Sequence, residues 1–117
     1  DAAYKIHVAL GPGLLESAYE ALMRHELQRR GLGVVSQWPV PLVYEGIRID
    51  VGYRADLVVE EKVIVELKSV ERMVPVHLKQ LLTYLRVADL RLGLLINFGM
   101  PRIKDGIRRV VNHLEDP

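Results

Sequence analysis

Asp56, Glu66 and Lys68 are the side chains whose types and spacing could most directly do chemistry. They lie in the stretch Arg54 to Val70, RADLVVEEKVIVELKSV, which reads as two strands joined by a tight acidic turn. Side chains alternate by face along a strand, so Glu66 and Lys68 share a face with Ile64, and Asp56 shares one with Val58. A three-residue turn at Glu60, Glu61 and Lys62 pairs Val59 with Val63 and sets Asp56 opposite Glu66; a two-residue turn would make them diagonal neighbours. Two carboxylates side by side on a largely apolar sheet repel each other. A divalent cation between them removes the conflict, because Mg²⁺ is usually held by one or two carboxylates plus waters and a substrate phosphate. Lys68 then points at the same place. The plainer explanation is a salt-bridge cluster at a strand end, but two carboxylates with one lysine among Val, Ile and Leu favour the metal site.

Two other segments add to this. Gly13 to Tyr19 reads GLLESAY, and His77 to Leu85 reads HLKQLLTYL, with Gln80 and Tyr84 one helical turn apart. The Asp56…Glu66-x-Lys68 pattern resembles the PD-(D/E)xK nuclease signature. The first added segment resembles the GxxExxY stretch of one group within that superfamily, and the second resembles the Q-x-x-x-Y helix of RecB-type exonuclease domains. The three occur in the family's order and span most of the chain.

The resemblance implies a restriction-endonuclease-like fold and metal-dependent hydrolysis of nucleic-acid phosphodiesters, with DNA the expected substrate and Mg²⁺ or Mn²⁺ the cofactor. It implies that Asp56, Glu66 and the Leu67 carbonyl hold the metal, with Glu16 joining directly or through water. It gives Lys68 the attacking water, or the charge that builds on it. It assigns Gln80 and Tyr84 to a phosphate or to orienting the lysine, and makes Tyr19 a further substrate contact. Without the resemblance, Glu16 is a solvated helix residue, and Gln80 and Tyr84 merely edge the core. The alternative function is a nuclease-fold subunit that binds without cutting, or cuts only with a partner: a second copy of the chain, a helicase or a repair protein.

These residues need elements to place them. Residues 2–10 have helical spacing, and Gly11-Pro12-Gly13 ends that helix. A longer helix is expected from about Leu14 to Arg30, closed by Gly31, with Leu15, Ala18 and Leu22 on its buried face. Residues 33–44 read as one or two strands whose prolines, Pro39 and Pro41, favour an edge or a bend. Glu45-Gly46 is a two-residue hairpin turn, and Ile47 to Tyr53 returns from it. Pro75 opens a helix to about Ala88 with a stripe of Leu78, Leu81, Leu82 and Leu85. Leu92 to Phe98 reads as a buried strand, and Ile107 to Val111 as a last strand or a helical turn. A strand, crossover helix and strand make the Leu92 strand parallel to the Glu66 strand, with the earlier strands paired as hairpins. The result is a mixed sheet flanked by helices, an α/β sandwich.

Composition sets the remaining bounds. The 117 residues suffice for one domain with one core, taken as 1–117. The chain has no cysteine, which excludes disulfides, thiolate metal sites and iron–sulfur clusters and agrees with a cytoplasmic location. No apolar run reaches the roughly 20 residues of a membrane span, and the start shows no signal segment. The chain opens at Asp1 rather than Met, so residues are expected to precede it. A net charge of +1 is no argument for nucleic acid; basic groups would have to be gathered near the site.

Overall fold

The computed structural model describes residues 1–112. Helix α1 (Ala2–Leu10) is capped by Asp1, whose side chain accepts from the Tyr4 N–H. Helix α2 (Glu16–Arg29) ends as the sequence predicts: Gly31 is left-handed at φ +87, its N–H bonds the Gln28 carbonyl, and the Leu32 N–H bonds that of Leu27. That is the Schellman pair of bonds, and it satisfies two carbonyls the helix would otherwise leave open.

Seven strands follow among the described residues, β1 (Val34–Pro39), β2 (Leu42–Tyr44), β3 (Ile47–Ile49), β4 (Arg54–Val59), β5 (Val63–Lys68), β6 (Leu92–Asn97) and β7 (Ile107–Val111). Helix α3 (Pro75–Ala88) connects β5 to β6, and a short 3₁₀ turn, Ile103–Gly106, leads into β7. The main sheet runs in the order β1-β4-β5-β6-β7. Strands β5 and β6 are parallel across the α3 crossover, and every other neighbouring pair is antiparallel. Gly93 lets α3 approach closely: a Cβ there would lie 2.9 Å from the Leu81 side chain.

The two faces of the sheet have separate cores. Helices α1 and α2 cover Leu57, Val65, Leu67, Ile96 and Phe98 with Ala3, Ile6, Tyr19 and Met23. Helix α3 covers Val58, Ile64 and Leu95 with Leu81, Tyr84 and Leu85. Apolar residues on both faces of β4 and β5 explain why these strands read as near-continuous hydrophobic runs.

Two expectations need correction. Strand β1 does not pair with its successor; it crosses to β4, and β2 and β3 form a separate two-stranded sheet. Pro39, at the end of β1 on the sheet edge, fits this, since the outer side of an edge strand needs no ladder donor. The buried face of α2 is centred on Tyr19, Met23 and Glu26, with Ala18 half-buried and Leu22 packed at the core's edge, and Leu15 has no part in it. Leu15 stands before the helix in extended backbone and is 77% exposed, so it cannot define the helix face. Glu26 turns inward because three cations meet it, Lys5 at 3.3 Å, Arg29 at 3.1 Å and Arg30 at 3.1 Å.

Candidate active site

The site forms where the β4–β5 hairpin opens. Val59 pairs with Val63 across a three-residue turn, and the ladder continues through Leu57 and Val65. At the next level, where Asp56 faces Glu66, carboxylates take over the main-chain bonds. The Asp56 N–H donates to Glu66 Oε2 at 2.9 Å, and the Leu67 N–H donates to Asp56 Oδ2 at 2.8 Å. Each carboxylate thus spends one oxygen on the other strand's backbone, which fixes its plane and leaves its second oxygen to be shared.

This pairing is electrostatically unfavourable without a cation. Glu66 is 7% exposed, and burial, followed by the neighbouring Asp56 charge, pushes its carboxyl up to about 8. Burial also raises Asp56, against the pull of the Leu67 N–H and of Lys68. Lys68 is half-buried, and its charge favours the ionised form of both acids. The backbone that carries Lys68 is held firmly. The Phe98 N–H bonds the Lys68 carbonyl at 2.8 Å, and buried Asn97 accepts from the Val70 N–H and donates to the Val70 carbonyl.

Helix α2 reaches the site through its first turn. The Ser69 hydroxyl donates to the Leu14 carbonyl at 2.7 Å, tying the loop before α2 to the residue after Lys68. Glu16 is exposed there, and its charge is felt at Asp56. It does not complete a three-carboxylate cluster, since no group of three or more His, Asp or Glu able to hold a metal occurs among the described residues. Tyr19 requires a correction. It has no exposed surface, its ring stacks on Phe98 at 4.2 Å, its hydroxyl donates to the Gly11 carbonyl, and the Leu14 N–H donates back to it. It holds the 11–14 loop from beneath and is not placed to touch a substrate.

Helix α3 brings Gln80 and Tyr84 to the other side. Gln80 is exposed, and its Nε2 donates to the Tyr84 hydroxyl at 2.9 Å. Tyr84 is buried, and its ring lies 5.9 Å from that of Tyr53. Burial raises its hydroxyl, and the charges of Glu66 and Asp56 are felt there too. Because Gln80 supplies the donor, the Tyr84 hydrogen is left to be given onward. His77, on the same helix, has a buried Nδ1 without a hydrogen-bond partner, and its ring feels both Lys68 and Glu16. Sequence spacing does not single out two further residues, Glu20 and Gln37: Gln37 Nε2 donates to Glu20 Oε1 at 2.7 Å, and Glu20 feels Asp56. Glu20 lies one helical turn beyond Glu16, the only hint the sequence offers. Gln37 offers none.

The family model of the PD-(D/E)XK nuclease superfamily matches residues 1–110. The chain belongs to that superfamily. No curated protein and no solved structure matches it. The mixed five-stranded sheet with three flanking helices agrees with the restriction-endonuclease-like fold. PD-(D/E)XK nucleases typically use divalent metal ions, and the donor set of this chain fits one. The carboxylate oxygens that Asp56 and Glu66 leave free are hard ligands, and Mg²⁺ commonly retains several waters, so a third carboxylate is not required.

Proposed function

We propose that this chain is a divalent-cation-dependent nuclease that hydrolyses phosphodiester bonds in DNA. Asp56, Glu66 and the Leu67 carbonyl would hold Mg²⁺ or Mn²⁺, with Glu16 contributing through water. The observation that carries the proposal is the interlocked Asp56–Glu66 pair, two buried-side carboxylates facing each other with Lys68 two residues on. When bound, the cation would stabilise charge on the phosphate oxygens and acidify a water.

The chain's own groups supply the rest. Lys68 places positive charge beside the attacking water, where charge develops in the transition state. Tyr84, supported by Gln80, donates its hydroxyl hydrogen to a phosphate oxygen at the rim. Asn97 and the Lys68 carbonyl bond hold the Lys68 backbone in place. An intact Asp, Glu and Lys set argues against the alternative of a nuclease-fold subunit that binds without cutting. A second copy of the chain, or a helicase or repair protein, would be the partner of a subunit that cuts only in an assembly. A cytoplasmic location accords with the absence of cysteine, and no helix among the described residues is long and apolar enough to cross a membrane.

The test is incubation with single- and double-stranded DNA and RNA in Mg²⁺, Mn²⁺ or EDTA. Cleavage of a DNA substrate that depends on the metal and stops in EDTA is expected. No cleavage of any polymer with either metal would contradict the proposal.

A further inference from the structure

Strands β1 and β4 keep one constant register, from Val34 opposite Val59 to Pro39 opposite Arg54, but the ladder passes over a single level. At that level Gln37 lies across from Asp56. Gln37 has φ +54, a left-handed conformation that side chains with a Cβ rarely adopt and that persists only where the surroundings enforce it. A normal extended residue would simply have continued the ladder.

The side chain of Gln37 shows what the irregular backbone achieves. Its Nε2 donates to Glu20 Oε1 at 2.7 Å, a contact between a strand and a helix 17 positions apart. In the register of the two strands, Gln37 occupies the level opposite Asp56. Asp56 is therefore flanked on both neighbouring strands: the Leu67 N–H on β5 takes Oδ2, and Gln37 holds the opposite level on β1. Glu20, half-buried on α2, gives the carboxamide a fixed partner.

We propose that Gln37 is a positioning residue, its left-handed backbone directing the carboxamide between Glu20 and Asp56 so that the Asp56 carboxylate is held ready for a divalent cation. This rests on the proposed metal-dependent nuclease. Groups behind a metal ligand orient it, and their loss typically weakens metal affinity by about 10- to 100-fold. The peculiar backbone and the side-chain bridge are then one device. The backbone sets the direction, and the bridge fixes the acid.

The experiment is calorimetric titration of Mn²⁺ into the wild type, Gln37→Gly and Gln37→Asn, with the melting temperature of each metal-free chain. Glycine takes φ +54 without strain, and asparagine tolerates it but is one methylene shorter. Both substitutions therefore keep the backbone and lose the bridge. The expected result is an Mn²⁺ affinity about 10- to 100-fold weaker in both, with metal-free Gln37→Gly melting no lower than the wild type. Should the glycine variant fold poorly, the asparagine variant alone decides by the same criterion. Affinity within twofold of wild type in the folded variants overturns the role of Gln37 and leaves the metal site standing. A wild-type chain that binds no Mn²⁺ overturns both.

Discussion

Two glutamates lie equally deep in this molecule and have opposite fates. Glu26 is 5% exposed and Glu66 is 7% exposed. Glu26 meets Lys5, Arg29 and Arg30, and hydrogen bonds from the two arginines lead in bringing its carboxyl down to about 2. Glu66 meets another carboxylate, and burial and Asp56 lift it to about 8. One acid is satisfied within the chain. The other is left in conflict, which the proposed divalent cation would resolve. The same contrast separates the two hairpins. The β2–β3 hairpin closes on a regular two-residue turn with Glu45 and Gly46 both left-handed, while the β4–β5 hairpin opens where Asp56 and Glu66 face each other.

The largest expected effect is on rate. Lys68→Ala should lose on the order of 10²-fold or more in cleavage, as when one electrostatic stabiliser is removed, while metal binding survives. Ordinary rates in this variant would reduce Lys68 to a salt-bridge residue. Next comes the helix that frames the site. Leu81 has no exposed surface, so Leu81→Ala should cost about 2–5 kcal/mol of stability, measured by denaturant melting. Gln80→Ala and Tyr84→Phe should instead cost little stability and slow cleavage several-fold, the worth of a hydrogen bond of about 1 kcal/mol. Equal destabilisation by all three would assign Gln80 and Tyr84 to packing alone.

A pH dependence tests the contrast between the two glutamates directly. Glu66 has a raised folded value, so the stability it contributes is complete below the ordinary carboxylate value of 4.5 and is lost as pH rises through about 8. Glu26 has a lowered value, so its contribution is present above 4.5 and is lost as pH falls through about 2. In metal-free protein, Glu66→Gln should therefore melt higher than wild type at pH 8 and above, with the gap closing below 4.5. Glu26→Gln should melt lower than wild type near neutrality, with the gap closing toward pH 2. Parallel melting curves for the two variants across this range would show that the two acids do not differ as described.

Much of this was legible in local pattern. Local pattern left a three- or a two-residue turn open, and the three-residue one pairs Val59 with Val63, which sets Asp56 level with Glu66. Gly31 marked the end of α2, and Leu81 and Leu85 of the expected α3 stripe are buried, though Tyr84, read as edging that stripe, is buried with them. What escaped depends on contacts between distant segments. Strand β1 passes over the β2–β3 hairpin to reach β4, a choice that only the assembled sheet decides. Tyr19 lies beneath the loop because Phe98 stacks on it from β6's far end. Glu26 faces inward with Lys5 from α1 joining Arg29 and Arg30 around it, and the first of these partners lies 21 positions away. Gln37 finds its side-chain partner, Glu20, on α2. Periodicity reports which face a residue takes within its own element, and it cannot report who waits there.

The central claim is that Asp56 and Glu66 share a divalent cation. Its most direct test is the melting temperature of wild type, Asp56→Asn and Glu66→Gln, each with and without Mn²⁺. A ligand that binds only the folded state raises its stability by mass action, in proportion to the logarithm of ligand concentration once the site is saturated. The wild type should melt progressively higher with Mn²⁺, and both variants should lose most of that response. An unchanged Mn²⁺ response in both variants would contradict the account.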